Sequence, residues 1–167
     1  MKNLLRIFLL SVFLSLFLIS SLKAAEFFFM DNELVGKPVP DFTLKTATGE
    51  KMNLTKFRDD KKTIIFFWAT WCPHCRESLS DLSHKNDEFN TKNIRLTLVD
   101  LGESEKIVKR FLEKHKIVFN VFLDDEETLA EPYGIIGVPT FVFVNEKGIV
   151  KEVLHALPQD FEKVFED

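Results

Sequence analysis

Two cysteines stand three positions apart in Trp71-Cys72-Pro73-His74-Cys75, and the 167-residue chain contains no others. Thiols at this spacing can close a disulfide and reopen it. Such exchange needs one reachable sulfur that ionises readily and a second sulfur close to the first. Cys72 falls where an apolar run ends and a helical pattern begins. A helix N-terminus supplies unpaired N–H groups and partial positive charge, and both stabilise a sulfur anion. His74, between the cysteines, can add a charge or a hydrogen bond to the same thiolate. Pro73 suits a first helical turn, where its missing N–H does no harm. Cys75, one turn in, is expected to be the more buried sulfur. It would attack the mixed disulfide that Cys72 forms with a substrate and release the product.

Other uses of the pair fit less well. A zinc site wants further ligands, and there is no second cysteine pair; His84, His115 and His155 are scattered. The sulfurs with His74 could still take copper, so a copper-binding assembly factor without turnover is the alternative from another class. A structural bridge over two residues adds little, because the stabilisation grows with the loop closed. A second sequence feature is Gly137-Val138-Pro139-Thr140, immediately before an apolar run. A proline at the head of a central strand is either a cis peptide or a trans strand start.

The elements that must position these residues alternate in type. Short strands at 41–46 and 51–54 flank the turn Thr48-Gly49-Glu50 as a hairpin. The run from Thr63 to Trp68 reads as a strand covered on both faces. Residues 73–90 read as one helix with Leu79, Leu82 and Phe89 inward. A strand at 94–99 follows, then a helix at 104–115 with Ile107, Val108, Phe111 and Leu112 on its buried stripe. A strand at 119–123, a short helix at 128–133, a hairpin of 140–144 with 149–154, and a terminal helix at 158–167 complete the chain. Strands alternating with helices imply an α/β fold with a central mixed sheet.

The N-terminus reads as a leader. Lys2 and Arg6 precede an apolar stretch from Ile7 to Leu22, and Ala24-Ala25 offers small residues for cleavage. At about 16 residues the stretch is short for a membrane span, which needs roughly 20. Residues 1–24 are therefore assigned as a signal peptide, or as an uncleaved membrane anchor, 25–35 as a linker and 36–167 as the domain. Either leader places the domain outside the cytoplasm, in a periplasmic or other extracytoplasmic space where disulfides can form. The net charge is −4, and the leader carries +3 with no acids, leaving −7 on the remainder. That balance excludes a nucleic-acid partner, which needs a basic footprint. The 18 phenylalanines mostly sit in apolar strand-like runs and read as core.

Phe67-Trp68-Ala69-Thr70-Trp71-Cys72-Pro73-His74-Cys75 and Tyr133-Gly134-Ile135-Ile136-Gly137-Val138-Pro139-Thr140 together resemble the TlpA/ResA-like thioredoxin family. Gly36-Lys37-Pro38-Val39-Pro40-Asp41-Phe42-Thr43-Leu44 is similar to the N-terminal hairpin that this family shares with peroxiredoxins, so the likeness runs from Gly36 onward. It implies a thioredoxin fold: a three-layer α/β/α sandwich with a central mixed sheet, an N-terminal β-hairpin and an inserted helix–strand unit near 103–125. It implies a cis Pro139 packed against the Cys72 sulfur, and substrate binding by Trp71, Pro139 and the backbone of Val138. The implied activity is that of an exported thiol–disulfide oxidoreductase with a redox-active Cys72–Cys75 disulfide and no cofactor or metal. Its partners would be protein thiols and disulfides, such as apocytochrome c in cytochrome c biogenesis or copper-site proteins, and a membrane thiol–disulfide electron donor. Membrane contact arises only if the leader is retained.

The chain departs from the family where protons are handled. Thioredoxins carry a buried acid where Phe66 stands, and many TlpA-like proteins carry a glutamate where Ser78 stands; Glu77 is one residue away, and Ser80 replaces a helix-kinking proline. A one-position shift turns a helical side chain by about 100°, so Glu77 is no substitute. Peroxidase chemistry is disfavoured because Ile65 and Ala69 occupy the positions of the proline and threonine that resemble the peroxidatic motif. The direction of electron flow is divided. The architecture implies a disulfide reductase, whereas Pro73-His74 and Val138 match the oxidant DsbA, whose large helical insertion is absent. By architecture the expected activity is that of a reductase.

Overall fold

The computed structural model describes residues 32–166; the leader, most of the expected linker and Asp167 lie outside the described residues. Seven strands form one sheet: β1 (Thr43–Thr46), β2 (Lys51–Asn53), β3 (Lys62–Trp68), β4 (Ile94–Leu101), β5 (Val121–Asp124), β6 (Thr140–Val144) and β7 (Val150–Leu154). Their order is β2-β1-β5-β4-β3-β6-β7. β3, β4 and β5 run parallel, and the remaining neighbours pair antiparallel, so the sheet is mixed as expected. The helices are α1 (Leu54–Arg58), α2 (Pro73–His84), α3 (Asn86–Thr91) and α4 (Glu105–His115), with a 3-10 turn at Phe161–Phe165.

β3 lies between β4 and β6 at the centre of the sheet, which is why its sequence is apolar at every position from Ile64 to Trp68. Alternation sends Ile64, Phe66 and Trp68 to one face and Ile65 and Phe67 to the other. The first face is covered by Cys75, Leu79 and Leu82 of α2, Phe89 of α3, Val108 of α4 and the phenylalanines of the 3-10 turn. The second is covered by Phe42, by Leu54 and Phe57 of α1, and by Leu129 and Tyr133. Burying a side chain of this size contributes about 2–3 kcal/mol, and the large aromatics dominate both faces.

Several boundaries differ from the sequence pattern. The helix expected over 73–90 is two, α2 and α3, separated at Lys85; the Lys85 N–H reaches back to the carbonyls of Asp81 and Leu82. Apolar periodicity continues through Phe89 because both pieces pack on one face, so the pattern conceals the break. The short helix expected at 128–133 is a series of hydrogen-bonded turns, started by Asp124, whose carboxylate accepts from the Thr128 and Leu129 N–H groups. The terminal helix shortens to the 3-10 turn. Ile107, placed on the buried stripe of α4, is half exposed, while Val108 is fully buried. At the start of the described residues, Asn32 is tied to the domain: its side-chain amide donates to the Tyr133 carbonyl at 3.0 Å.

Candidate active site

Cys72 is the N-cap of α2, and Pro73 is its first helical residue. β3 ends at Trp68, and Ala69 to Trp71 form the short connection. The strand thus delivers Cys72 to the positive end of the helix. The two cysteines are joined as a disulfide, with Cα atoms 5.2 Å apart. The Cys75 N–H points at Cys72 Sγ from 3.1 Å, an orphan helix-start donor aimed at the sulfur that would carry negative charge after reduction. Both cysteines are buried in the disulfide form, Cys75 fully and Cys72 at 3% exposed.

The Val138–Pro139 peptide bond is cis. This loop brings the Val138 carbonyl oxygen to 3.6 Å from Cys72 Sγ. Two interactions hold the loop: the Thr140 hydroxyl donates to the Gly137 carbonyl at 2.7 Å, and His155 Nδ1 lies 3.1 Å from the Pro139 carbonyl oxygen. Trp71 and Ile136 are exposed beside these segments. Trp71, Pro73 and His74 flank the two cysteines along the chain, and the Val138–Pro139 loop meets Cys72 Sγ through the Val138 carbonyl. His74 projects outward, 80% exposed, and its Nδ1 lies 3.2 Å from Glu77 Oε2. The imidazole is engaged with a carboxylate on its own helix.

Positions discussed for proton handling are also clear. Phe66 is fully buried and stacks on Phe141, with ring centroids 4.4 Å apart. The Ser78 hydroxyl donates to the His74 carbonyl at 3.0 Å, an internal helix bond. Two acids absent from the sequence reading stand close by. Glu103 Oε2 accepts from the Thr70 N–H at 2.5 Å and Oε1 from the Thr70 hydroxyl at 2.7 Å, fastening the connection that leads into Cys72. Gly102, with φ of +76°, makes the turn that aims Glu103; a Cβ there would run into the Glu127 side chain. Asp100, on β4, is fully buried, and neither of its carboxyl oxygens has a hydrogen-bond partner in the protein. Burial, then the neighbouring Glu103 charge, pushes Asp100 up to about 8. One signal was available: a carboxylate inside the run Leu96 to Leu101, whose other residues are apolar except Thr97.

The AhpC/TSA family model matches residues 35–153. The chain belongs to the AhpC/TSA family. Within that family its likeness is to the ResA-type enzymes. It is 32% identical over 114 residues to the sporulation thiol-disulfide oxidoreductase A of Bacillus subtilis (strain 168), covering 66% of this chain and 68% of that one. It is 27% identical over 120 residues to the thiol-disulfide oxidoreductase ResA of Geobacillus thermodenitrificans (strain NG80-2), covering 72% and 68%. The crystal structure of StoA from Bacillus subtilis superposes with a TM-score of 0.63 at 29% identity, over 77% of this chain and 96% of that one. This AhpC/TSA member is an oxidoreductase of the thiol–disulfide type with a thioredoxin fold. Among the described residues, no three or more His, Cys, Asp or Glu side chains are grouped to hold a metal ion. No described helix is long and apolar enough to cross a membrane.

Proposed function

We propose that this protein is an exported disulfide reductase working through Cys72 and Cys75. In the reduced protein the Cys72 thiolate attacks a substrate disulfide. One substrate sulfur leaves as a thiolate, and the other is held in a mixed disulfide with Cys72. Cys75 then loses its proton and attacks Cys72 Sγ, the mixed disulfide breaks, and the second substrate sulfur departs as a thiolate. Two electrons have passed to the substrate, and the Cys72–Cys75 disulfide remains. A dithiol donor must restore the pair, and a membrane thiol–disulfide carrier fits a domain outside the cytoplasm.

The observation that carries this reading is the Cys75 N–H aimed at Cys72 Sγ at the start of α2, with the Val138–Pro139 loop against the same sulfur. Trp71 and the backbone beside Pro139 offer an exposed surface for an extended substrate segment, with Val138 supplying backbone groups for pairing. Apocytochrome c or a copper-site protein, each presenting a cysteine pair, is the substrate class proposed. Export rests on the basic and apolar leader, whether or not it is cleaved.

An oxidant of the DsbA kind needs its reduced form strongly stabilised. Glu77 beside His74 offsets the imidazole charge that would do this, which favours the reducing direction. A copper-binding role would draw on the same sulfurs and on His74, which Glu77 already engages. The test is turnover of insulin disulfides with dithiothreitol as donor. Activity should vanish in Cys72→Ser, and Cys75→Ser should accumulate a mixed disulfide visible by mass spectrometry. Turnover that survives Cys72→Ser would overturn the proposal.

A further inference from the structure

Among the described residues the buried charged side chains are Arg58, Asp100, Glu103 and Asp124. Three of them have visible work. Arg58 donates to the Asn145 carbonyl at 2.5 Å, Asp124 starts the turns after β5, and Glu103 holds Thr70. Asp100 makes no well-formed hydrogen bond and lies beside the acid Glu103, and such a buried carboxyl costs stability. A leucine would fill that position without the cost.

Its place in the sheet suggests what it does. β3 and β4 pair with Phe66 opposite Leu98 and Trp68 opposite Asp100. The alternation that turns Ile94, Leu96 and Leu98 toward α2 turns Asp100 the same way, into the layer that holds Cys72 and Cys75. The indole N–H of Trp68, its register partner, is also buried without a hydrogen-bond partner, so polarity collects at this end of an otherwise apolar face. The side chains of α2 and β3 offer no competing acceptor for the Cys75 proton. On α2, Ser78 is bonded to its own helix and Glu77 is exposed against His74; on β3 the same-face residues here are Phe66 and Trp68, neither of them a proton acceptor.

Resting on the exchange reading, we infer that Asp100 takes up the proton of Cys75 when the mixed disulfide resolves, with Glu103 keeping it poised to do so. The Asp100 carboxylate accepts the thiol proton, and the Cys75 sulfur uses the electron pair so freed to bond Cys72 Sγ. The substrate sulfur leaves with the electrons of the broken bond, and Asp100 later gives its proton to solvent.

The surroundings suit the task. From β5 comes Asp124, and from the loop after β4 comes Glu103; both are acidic and both favour the protonated form. α2 and its N-cap contribute the two cysteines, and α4 contributes Phe111, against Trp68, with His115 stacked on Phe111. With no basic group among its perturbing neighbours, Asp100 is held near 8, where both its forms are populated around neutrality. An acid–base group works best when its pKa lies near the ambient pH.

The reduced full-length protein, mixed with Ellman's reagent in a stopped-flow instrument, separates the two steps. The first equivalent of thionitrobenzoate reports attack by Cys72, and the second reports resolution by Cys75. Asp100→Asn should leave the first phase unchanged and slow the second by about 100-fold near pH 7, the lower end of what a positioned proton acceptor contributes. Its second phase should then rise about tenfold per pH unit as hydroxide takes over, whereas the wild-type profile bends. Glu103→Gln should move the wild-type bend to lower pH and serves as the second variant if Asp100→Asn does not fold. A second phase with wild-type rate, or slowed with an unchanged pH profile, overturns the role of Asp100 and leaves the exchange reading intact. Absence of both phases in the wild-type protein overturns the exchange reading, and the inference with it.

Discussion

Replacing Asp100 by asparagine should make the oxidised protein more stable near neutral pH, by an amount that grows with pH. The side chain is fully buried, and its folded pKa is raised from 3.8 to about 8. Between those values the folded state binds the proton and the unfolded state does not. Stability therefore falls as pH rises through this window, by about 1.4 kcal/mol per unit, and the loss is complete above the folded pKa. Below the unfolded pKa the carboxyl is protonated in both states and the penalty is absent. Over the three units from pH 4 to pH 7 the loss is on the order of 4 kcal/mol, a large share of a domain stability of roughly 5–15 kcal/mol. Asparagine is nearly isosteric and does not titrate, so it should remove the slope while keeping the shape. Urea denaturation of the disulfide form at pH 4.5, 5.5, 6.5 and 7.5 measures this, with the difference between variant and wild type isolating the one group. Two stability curves that run parallel across this range would refute the assignment of Asp100 as a buried carboxyl that resists ionisation.

Glu103→Ala leaves the Thr70 N–H and hydroxyl without their acceptor, and urea unfolding at pH 7 should register a loss of about 2–3 kcal/mol, as for hydrogen bonds to a charged group. Tyr133→Phe removes the donor to the Pro40 carbonyl, and the same assay should lose about 1 kcal/mol. His74→Ala should lower the reduction potential and Glu77→Gln should raise it. Each change should stay within roughly 30 mV, a tenfold shift in the equilibrium, because both side chains are exposed; glutathione equilibration reads both.

Much of the fold was legible because β3 is apolar from Ile64 to Trp68 and β6 from Phe141 to Val144, and the turns at 48–50 and 145–148 are chemically explicit. The hairpin and the central strands follow from those features alone. The break at Lys85 was hidden, since one continuous apolar face served two helices. The turns at 128–133 had helical spacing, but the Asp124 carboxylate captures the first N–H groups and sets another path. At the site, Cys72, Cys75 and the cis bond before Pro139 came from motif and family likeness. Asp100, Glu103 and Thr70 did not, because their meaning arises only when parallel pairing puts Asp100 opposite Trp68 and a loop after β4 reaches the one after β3. His155, against the Pro139 carbonyl, is likewise a product of the β6–β7 hairpin rather than of local sequence.

The reduction potential of the Cys72–Cys75 pair, measured by equilibration of the full-length protein with glutathione redox buffers at pH 7, tests the central claim most directly. A reductase predicts a value close to that of thioredoxin, about −270 mV. A value near −120 mV, roughly that of DsbA, would contradict it and make this site a source of disulfides rather than a sink for them.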